Sequence, residues 1–430
     1  MRVTRHRTVN ARRVSRMGGR IRQKPEEDRL AAQMERLTGY QVLMVAATAL
    51  MVVLDGADNQ LLANAIPALM REWHLPRAAF ANASAAAPFG MIIGGLAGGM
   101  LGDRIGRTKA LLASVICFSA LTGLIAFAND VTTLAIVRFF AGLGLGGAMP
   151  NAAALTAEIV PARHRPLAVT LTIVCIPLGG VLAGFLAAQI IPDYGWRVLF
   201  AAGGIVPMVL AVALWPVLPE SPTFLARSTP PGSIGDLFAP ALRRDSIALI
   251  GAFGCCLLAI WTAFLWIPAM LTEPAVGFSQ PDASRVLSIH NFGGVAGAIA
   301  GALLIQRVGS RIALLTISGL AIVAALAMSR MTLHPAEMTS VIAMFAISGA
   351  LLNAVQAPMY ALAAHVFPTE IRSTGVGTTV AAGRIGNVAA SYLGSWALSA
   401  GGPPLYFSTW AAAMTMVLLF LAMVRRHIRA

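Results

Sequence analysis

The chain has 430 residues, of which 57% are hydrophobic and 12% charged, against about 25% charged in ordinary soluble domains. That excludes a water-soluble globular protein and predicts an integral membrane protein. A net charge of +14 can mark nucleic-acid binding, but here the basic residues gather at the termini and in alternate loops, a membrane-orientation pattern, so no nucleic-acid partner is expected.

Residues 1–40 form a basic arm that holds eleven of the 32 Lys and Arg. Arg12-Arg13 invites a twin-arginine export reading, but no apolar segment follows before residue 40, and the one that then begins is too long and lacks a small-residue cleavage site. The arm is expected to be disordered. Apolar segments of about 20 residues, the length that crosses a hydrocarbon core of roughly 30 Å, then recur to the C-terminus. They fall near 41–66, 80–101, 109–128, 131–158, 166–191, 197–217, 246–271, 283–307, 311–330, 337–366, 374–399 and 405–424. Twelve helices are therefore predicted. Arg104, Arg107, Lys109, Arg243, Arg244 and Arg425 all fall on one side of this topology, whereas the other side holds only Arg71, Arg77, Arg197, Arg285 and Arg330. By the positive-inside rule both termini are expected in the cytoplasm. The four cysteines, Cys117, Cys175, Cys255 and Cys256, lie inside spans without metal spacing and read as small buried side chains.

The longest loop, Pro219 to Arg244, is rich in Pro, Ser and Gly and divides the helices six and six. The predicted organisation is a bundle over 41–218, a cytoplasmic linker over 219–245, a second bundle over 246–424 and a tail over 425–430. A shift of 203 (297 − 94) lays Phe89, Gly90, Gly94, Ala97, Gly98, Leu101, Arg104 and Gly106 onto Phe292, Gly293, Gly297, Ala300, Gly301, Leu304, Arg307 and Gly309. A shift of 207 (368 − 161) lays Pro161, Arg165 and Gly179 onto Pro368, Arg372 and Gly386. The halves read as copies of one six-helix unit. Glycines at i, i+4 and i+8 let another backbone approach closely; helix packing explains any one such groove, and its repetition suggests a sliding interface between the halves. Gly142, Gly144 and Gly147 match a dinucleotide-binding pattern by letter, but they lie within a span with no preceding strand, so packing is the better reading.

Gly99-x-x-x-Asp103-Arg104-x-Gly106-Arg107 resembles the signature between helices 2 and 3 of the major facilitator transporters, Arg138-x-x-x-Gly142-x-x-x-Gly146 their helix 4 motif, and Pro219-Glu220-Ser221-Pro222 the sequence that follows their helix 6. Within that superfamily, Asp55-Gly56-Ala57-Asp58, GLGLGGAMPNAAAL at 142–155, and ALAAHVFPTEIRSTGVG at 361–377 running into Gly383-Arg384-Ile385-Gly386 are similar to the aromatic acid:proton symporters. The resemblance implies an all-α fold of two pseudo-symmetric six-helix bundles. It implies rocker-switch import of a benzoate-like or hydroxyphenyl carboxylate with protons, across the inner membrane, by a monomer without cofactor or metal. It also implies a cytoplasmic gate around Gly99, Asp103, Arg104, Gly106, Arg107, Glu158, Arg165 and Arg372. The sequence departs from the pattern at Gln306, where an acid answering Asp103 is expected.

One Asp at a helix centre costs roughly 2.5–3.5 kcal/mol, so Asp55 and Asp58 together cost on the order of 5–7 kcal/mol unless compensated. At i and i+3 they share a face and can both point inward. Arg138, about seven residues or roughly 10 Å from the outer end of helix 4, matches Asp58 in depth, which predicts an ion pair. Mutual repulsion, low dielectric and a nearby guanidinium act on an acid's proton in opposing senses, the property of a tunable proton carrier. Asp55, Asp58 and Arg138 are thus the candidate proton-coupling residues. Arg384, about ten residues or roughly 15 Å into helix 11, is the candidate for the substrate carboxylate, which a guanidinium holds with two parallel hydrogen bonds; neutralising another acid is its alternative role. Asn353, Gln356 and Tyr360 on helix 10, with Trp261, Phe264 and Trp266 on helix 7, are spaced to line a cavity for an aromatic ring, and core packing explains the aromatics equally well. His290 on helix 8 is either a packing residue or a proton relay.

Three rival functions are weighed. A proton-coupled exporter would carry a Gly-Pro step on helix 5, which CIPLGG at 175–180 lacks. A membrane enzyme would need a nucleophile and base or a metal cluster, and no HExxH or paired His occurs. A transporter-like sensor would need an appended signalling domain, for which neither terminus has the length.

Overall fold

The computed structural model describes residues 38–161, 165–218, 220, 234–368 and 371–429; the side chains of Asp103, Arg165 and Arg372 lie outside the described part. The basic arm up to residue 37 and most of the linker, 219 and 221–233, likewise lie outside it. In lipid every backbone polar group must be satisfied within the chain, so long apolar segments become helices. The first helix, α1 (Gly39–Trp73), opens with a capping box in which Gln41 N–H donates to Thr38 Oγ1 at 3.2 Å and Thr38 N–H to Gln41 Oε1 at 3.0 Å. It is followed by α2 (Ala81–Ile105), α3 (Arg107–Ile125) and α4 (Val131–Ile159), the last capped by Asp130. Helix Arg165–Leu214 breaks at Gly195 into α5 (165–194) and α6 (196–214). After α7 (Arg243–Leu271), helix Gln280–Ser329 breaks at Gly309 into α8 (280–308) and α9 (310–329). After α10 (Met338–Val366), helix Arg372–Met423 breaks at Gly402 into α11 (372–401) and α12 (403–423). The breaking glycines have φ of 80°, 78° and 61°, backbone that only a residue without Cβ adopts freely. Nine helical runs among the described residues are long and apolar enough to cross a membrane, and the three breaks turn them into twelve spans.

Because the spans alternate, one face carries both ends of the described chain and the loops after the even-numbered helices; it is called here the terminal face, and its opposite the far face. α1 continues to Trp73 instead of ending near 66 and leaves the helix at His74, whose N–H reaches Met70 O. Trp73 is held by rings on both sides, stacked on Phe80 at 5.9 Å and edge-on to Trp196 at 5.8 Å, which packs the extra turns against α6. α7 starts at Arg243, inside the expected linker.

The glycine grooves seat helices within each half. A Cβ on Gly90, Gly94 or Gly98 of α2 would overlap backbone of Phe139, Leu143 or Gly147 on α4, and one on Gly293, Gly297 or Gly301 of α8 would overlap Ala346, Ala350 or Ala354 on α10. The contacts repeat at the two shifts found in the sequence, 203 for the first helix (297 − 94) and 207 for its partner (350 − 143). Gly179 of α5 sits on Val53 and Ala57 of α1 as Gly386 of α11 sits on Gly254 and Leu258 of α7. The expected sliding interface is therefore corrected: these grooves fix each bundle internally, and the bundles meet along other faces.

Candidate functional site

Asp55 and Asp58 are 3% and 1% exposed on α1, and both face the protein interior. Asn59 Nδ2 donates to Asp55 O at 2.8 Å within the helix. Asp58 Oδ1 accepts a 2.5 Å hydrogen bond from the Thr122 hydroxyl on α3. Arg138 on α4, 1% exposed, is the opposing charge that Asp58 feels, but no direct bond joins them. Asp58 Oδ2 and Arg138 Nε have no hydrogen-bond partner among the described residues. The sequence predicts an ion pair; the structure shows no direct bond between the two charges, and the carboxylate is held by Thr122 instead.

Arg384 on α11 couples electrostatically to Asp55 and to Tyr360 of α10, and the Tyr360 ring stands edge-on to Phe253 of α7 at 5.1 Å. Arg384, Gln356 and Tyr360 are half-buried although they lie on helices of the interior, so solvent-sized molecules reach them. Arg384 makes no hydrogen bond among the described residues. Two acid–guanidinium couples result: Asp58 with Arg138 inside the first bundle, and Asp55 with Arg384 between the bundles. A proton on the acid or an anion on the arginine weakens such a couple, so this arrangement can link both ligands to the relation between the bundles.

Other expected cavity residues are placed in helix packing. His290 is fully buried, with Nδ1 3.0 Å from Phe345 O and 3.2 Å from Ser348 Oγ, inside rings of Phe264, Phe345 and Trp410. Trp266 is also fully buried; its indole donates to Ala390 O at 3.3 Å and packs on Gly394, joining α7 to α11. Asn353 lies in the α8–α10 seam against Gly294 and bonds its own helix at Gly349 O. Bulk and apolar neighbours on every side explain the difference: a helix in a bundle buries most of its circumference, and spacing alone cannot say which face meets the cavity. Trp261, 8% exposed, is edge-on to Phe264.

At the terminal face the segment Gly99–Arg107, the end of α2 and its one-residue turn at Gly106, is gripped by Asn151 and Glu220, neither of them among the expected gate residues. Arg107 Nη1 lies 3.4 Å from Asn151 Oδ1 and 3.5 Å from Gly99 O, and Thr108 N–H donates to Glu220 Oε1 at 3.0 Å. Gly106, at φ 107°, leaves no room for a Cβ beside the Glu220 carboxylate. Both residues stood within quoted motifs, so their signal was present. Arg104 is exposed and Glu158 half-buried.

Among the described residues, five polar contacts join the bundles toward the far face: Gln60 with Asn291, Gln280 with Asn64 O, Ser288 with Val181 O, Tyr392 with Asn82, and the Arg77–Glu273 ion pair. These contacts hold the two bundles together on that side.

Twelve antiparallel spans in two matching bundles, with charges coupled across their seam, define a membrane carrier. The Major Facilitator Superfamily model matches residues 48–334 and the Sugar (and other) transporter model residues 263–425. The chain belongs to the major facilitator superfamily, a family of transporters and not of enzymes. It is 33% identical over 421 residues to the gallate transporter of Pseudomonas putida, covering 89% of this chain and 92% of that one. It is 31% identical over 398 residues to the 4-hydroxybenzoate transporter PcaK of the same organism, covering 85% and 88%. The D-xylose-proton symporter structure shares the fold, with a TM-score of 0.72 at 18% identity over 90% of this chain and 99% of that one.

Proposed function

We propose that the chain imports an aromatic carboxylate, of the benzoate or hydroxybenzoate kind, together with protons across the bacterial inner membrane, working as a monomer with both termini and the terminal face in the cytoplasm. The gallate and 4-hydroxybenzoate transporters among its relatives support the substrate class. The single observation that carries the mechanism is the placement of two charges inside the protein on helices of opposite bundles, Asp55 buried on α1 and Arg384 half-buried on α11 without a hydrogen bond among the described residues. With the periplasmic side open, a proton reaches Asp55 or Asp58 and the substrate carboxylate takes the freed guanidinium of Arg384 through two parallel hydrogen bonds. Tyr360, half-buried and backed by the core ring of Phe253, offers its ring to the aromatic body. Neutralising both members of the couple lets the bundles rock to a state closed at the periplasm, from which proton and substrate leave to the cytoplasm. The polar contacts that join the bundles at the far face support this reading. The Gly99–Arg107 loop with Asp103, Arg104, Gly106, Glu158, Arg165 and Arg372 closes that side in the opposite state.

The test is uptake into proteoliposomes of labelled benzoate, 4-hydroxybenzoate and gallate under an imposed pH gradient, acid outside. Accumulation above equilibrium that collapses with a protonophore is expected for at least one of them; its absence for the whole panel overturns the reading. Gradient-driven extrusion instead would establish the exporter.

A further inference from the structure

Among the described residues, the one hydrogen bond to the Asp58 carboxylate comes from Thr122, a residue outside every motif of the sequence. Both side chains are buried, at 1% and 0% exposure. α3 is locked onto α6 where Gly123 and Gly204 cross backbone to backbone. Next to that crossing, the Thr122 methyl lies 3.6 Å from the position a Cβ on Gly203 would occupy. With its methyl turned to α6, its hydroxyl points to α1. The charged groups facing Asp58 are Arg138 from α4 and Asp55 one turn away on α1.

We infer that Thr122 is a positioning residue for proton coupling: its hydroxyl pins Asp58 Oδ1, keeps the carboxylate from closing into a direct ion pair with Arg138, and leaves Oδ2 as the oxygen that takes the proton. This rests on the reading of Asp58 as a proton carrier. The hydroxyl donates to the carboxylate and, more weakly, to the carbonyl oxygen of a carboxylic acid protonated at Oδ2, so it stays satisfied through the cycle. Without it, Asp58 and the Arg138 guanidinium, both buried and each with an unpartnered polar atom, would pair directly, and a paired carboxylate yields its place to a proton less readily.

The experiment uses the full chain in proteoliposomes with labelled 4-hydroxybenzoate, measuring uptake driven by a pH gradient and, separately, gradient-free exchange. Thr122→Val keeps the shape and removes the donor; Thr122→Ser keeps the donor; Asp58→Asn tests the underlying reading. Thr122→Val is expected to lower driven uptake about tenfold, the size of one hydrogen bond to a charged group, with exchange within about twofold of the parent, and Thr122→Ser to restore uptake. Full driven uptake by Thr122→Val, while Asp58→Asn loses it, overturns the positioning role and leaves proton coupling at Asp58 standing. Full driven uptake by Asp58→Asn overturns the coupling reading itself. Equal loss of uptake and exchange in Thr122→Val, unrescued by Thr122→Ser, marks a merely structural residue and also overturns the inference.

Discussion

Gln60 on α1 and Asn291 on α8 exchange two carboxamide hydrogen bonds, at 2.9 and 2.8 Å, across the seam between the two bundles, and Asn291 Nδ2 also donates to Leu287 O within its helix. The pair sits on Gly180 of α5, where a Cβ would overlap both amides. Toward the far face, Gln280 Nε2 then donates to Asn64 O at 2.6 Å. The carrier cannot open on this side without parting these groups. Gln60→Leu or Asn291→Leu strands one buried amide, which costs about 1–3 kcal/mol and falls on the closed state. A cysteine at Ser284, in a cysteine-free background, is expected to react about tenfold faster with an impermeant thiol reagent in either variant. The double leucine variant, which leaves nothing unpaired, is expected nearer the parent. Equal rates in all four would show that the pair does not hold the seam.

Arg77, between α1 and α2, pairs with Glu273 in the loop after α7, their side chains 10% and 20% exposed. The net worth of such a pair is small because desolvation offsets attraction, but removing one partner leaves a largely buried charge uncompensated, which is strongly unfavourable. Arg77→Glu and Glu273→Arg each place like charges together and are expected to shift the same thiol reaction toward the open state and to slow uptake. The charge-swapped double variant restores both if the ion pair is the cause.

The fold was largely legible because lipid imposes a simple rule: spans must be long, apolar and helical, and the glycine repeat displayed the duplication openly. The turns at Gly195, Gly309 and Gly402 fall where the gaps between apolar runs were read. Asp55, Asp58, Arg138 and Arg384 stood out because charge inside a span is costly. What stayed hidden were neutral partners. Thr122 is an unremarkable letter in an apolar helix, and only the packing of α3 on α6 gives it a role; Gln60 is conspicuously polar beside the acid pair, yet only the packing of α1 on α8 shows its partner. His290 and Trp266, polar or large enough to notice, take the packing alternative and are turned into the core of the second bundle. Helical periodicity assigns residues to faces, but it does not say which face meets a cavity and which a neighbouring helix.

Neighbouring glycines on α2 separate packing from gating. A Cβ on Gly94 would overlap the backbone of Leu143, whereas one on Gly99 meets nothing within 4 Å. Gly94→Ala is expected to lower thermal stability in detergent by more than about 2 kcal/mol, since backbone cannot yield as a side chain does. Gly99→Ala is expected to leave stability unchanged, so any loss of uptake it causes is a loss of gating. Comparable melting of the two variants would contradict the close approach of α2 and α4.

The C-terminal tail docks on the start of α9: Ile428 N–H donates to Ser310 Oγ at 2.9 Å, Ser310 N–H to Ile428 O at 2.9 Å, and His427 Nδ1 lies 3.1 Å from the same hydroxyl. Burial first, and then the charge of Arg311, hold the His427 imidazole below its ordinary value of 6.5. The docked tail therefore disfavours the protonated ring, while the undocked tail accepts it. Docking is complete above about 6.5 and weakens as pH falls through that value toward the docked pKa. Trypsin cleavage after Arg425 and Arg426 should accelerate between pH 7 and the trypsin limit near pH 5.5, relative to a control site. His427→Gln should remove that pH dependence.

Arg384 is the residue on which substrate recognition turns. A guanidinium presents two parallel donors to a carboxylate, and an ammonium on the same helix presents a point charge that still balances Asp55. Arg384→Lys thus separates the two roles the sequence left open. If Arg384 only neutralises Asp55, lysine suffices and the KM for an aromatic carboxylate stays within about twofold of the parent. If it holds the substrate, one of two charge-assisted bonds is lost, worth about 1.5–3 kcal/mol, and KM rises by at least tenfold with little change in the folded yield. Tyr360→Phe, which keeps the ring beside Phe253 and removes only the hydroxyl near Arg384, is expected to leave KM for benzoate within threefold. A lysine variant with unchanged KM would return Arg384 to the role of counter-ion and place the carboxylate elsewhere along the seam.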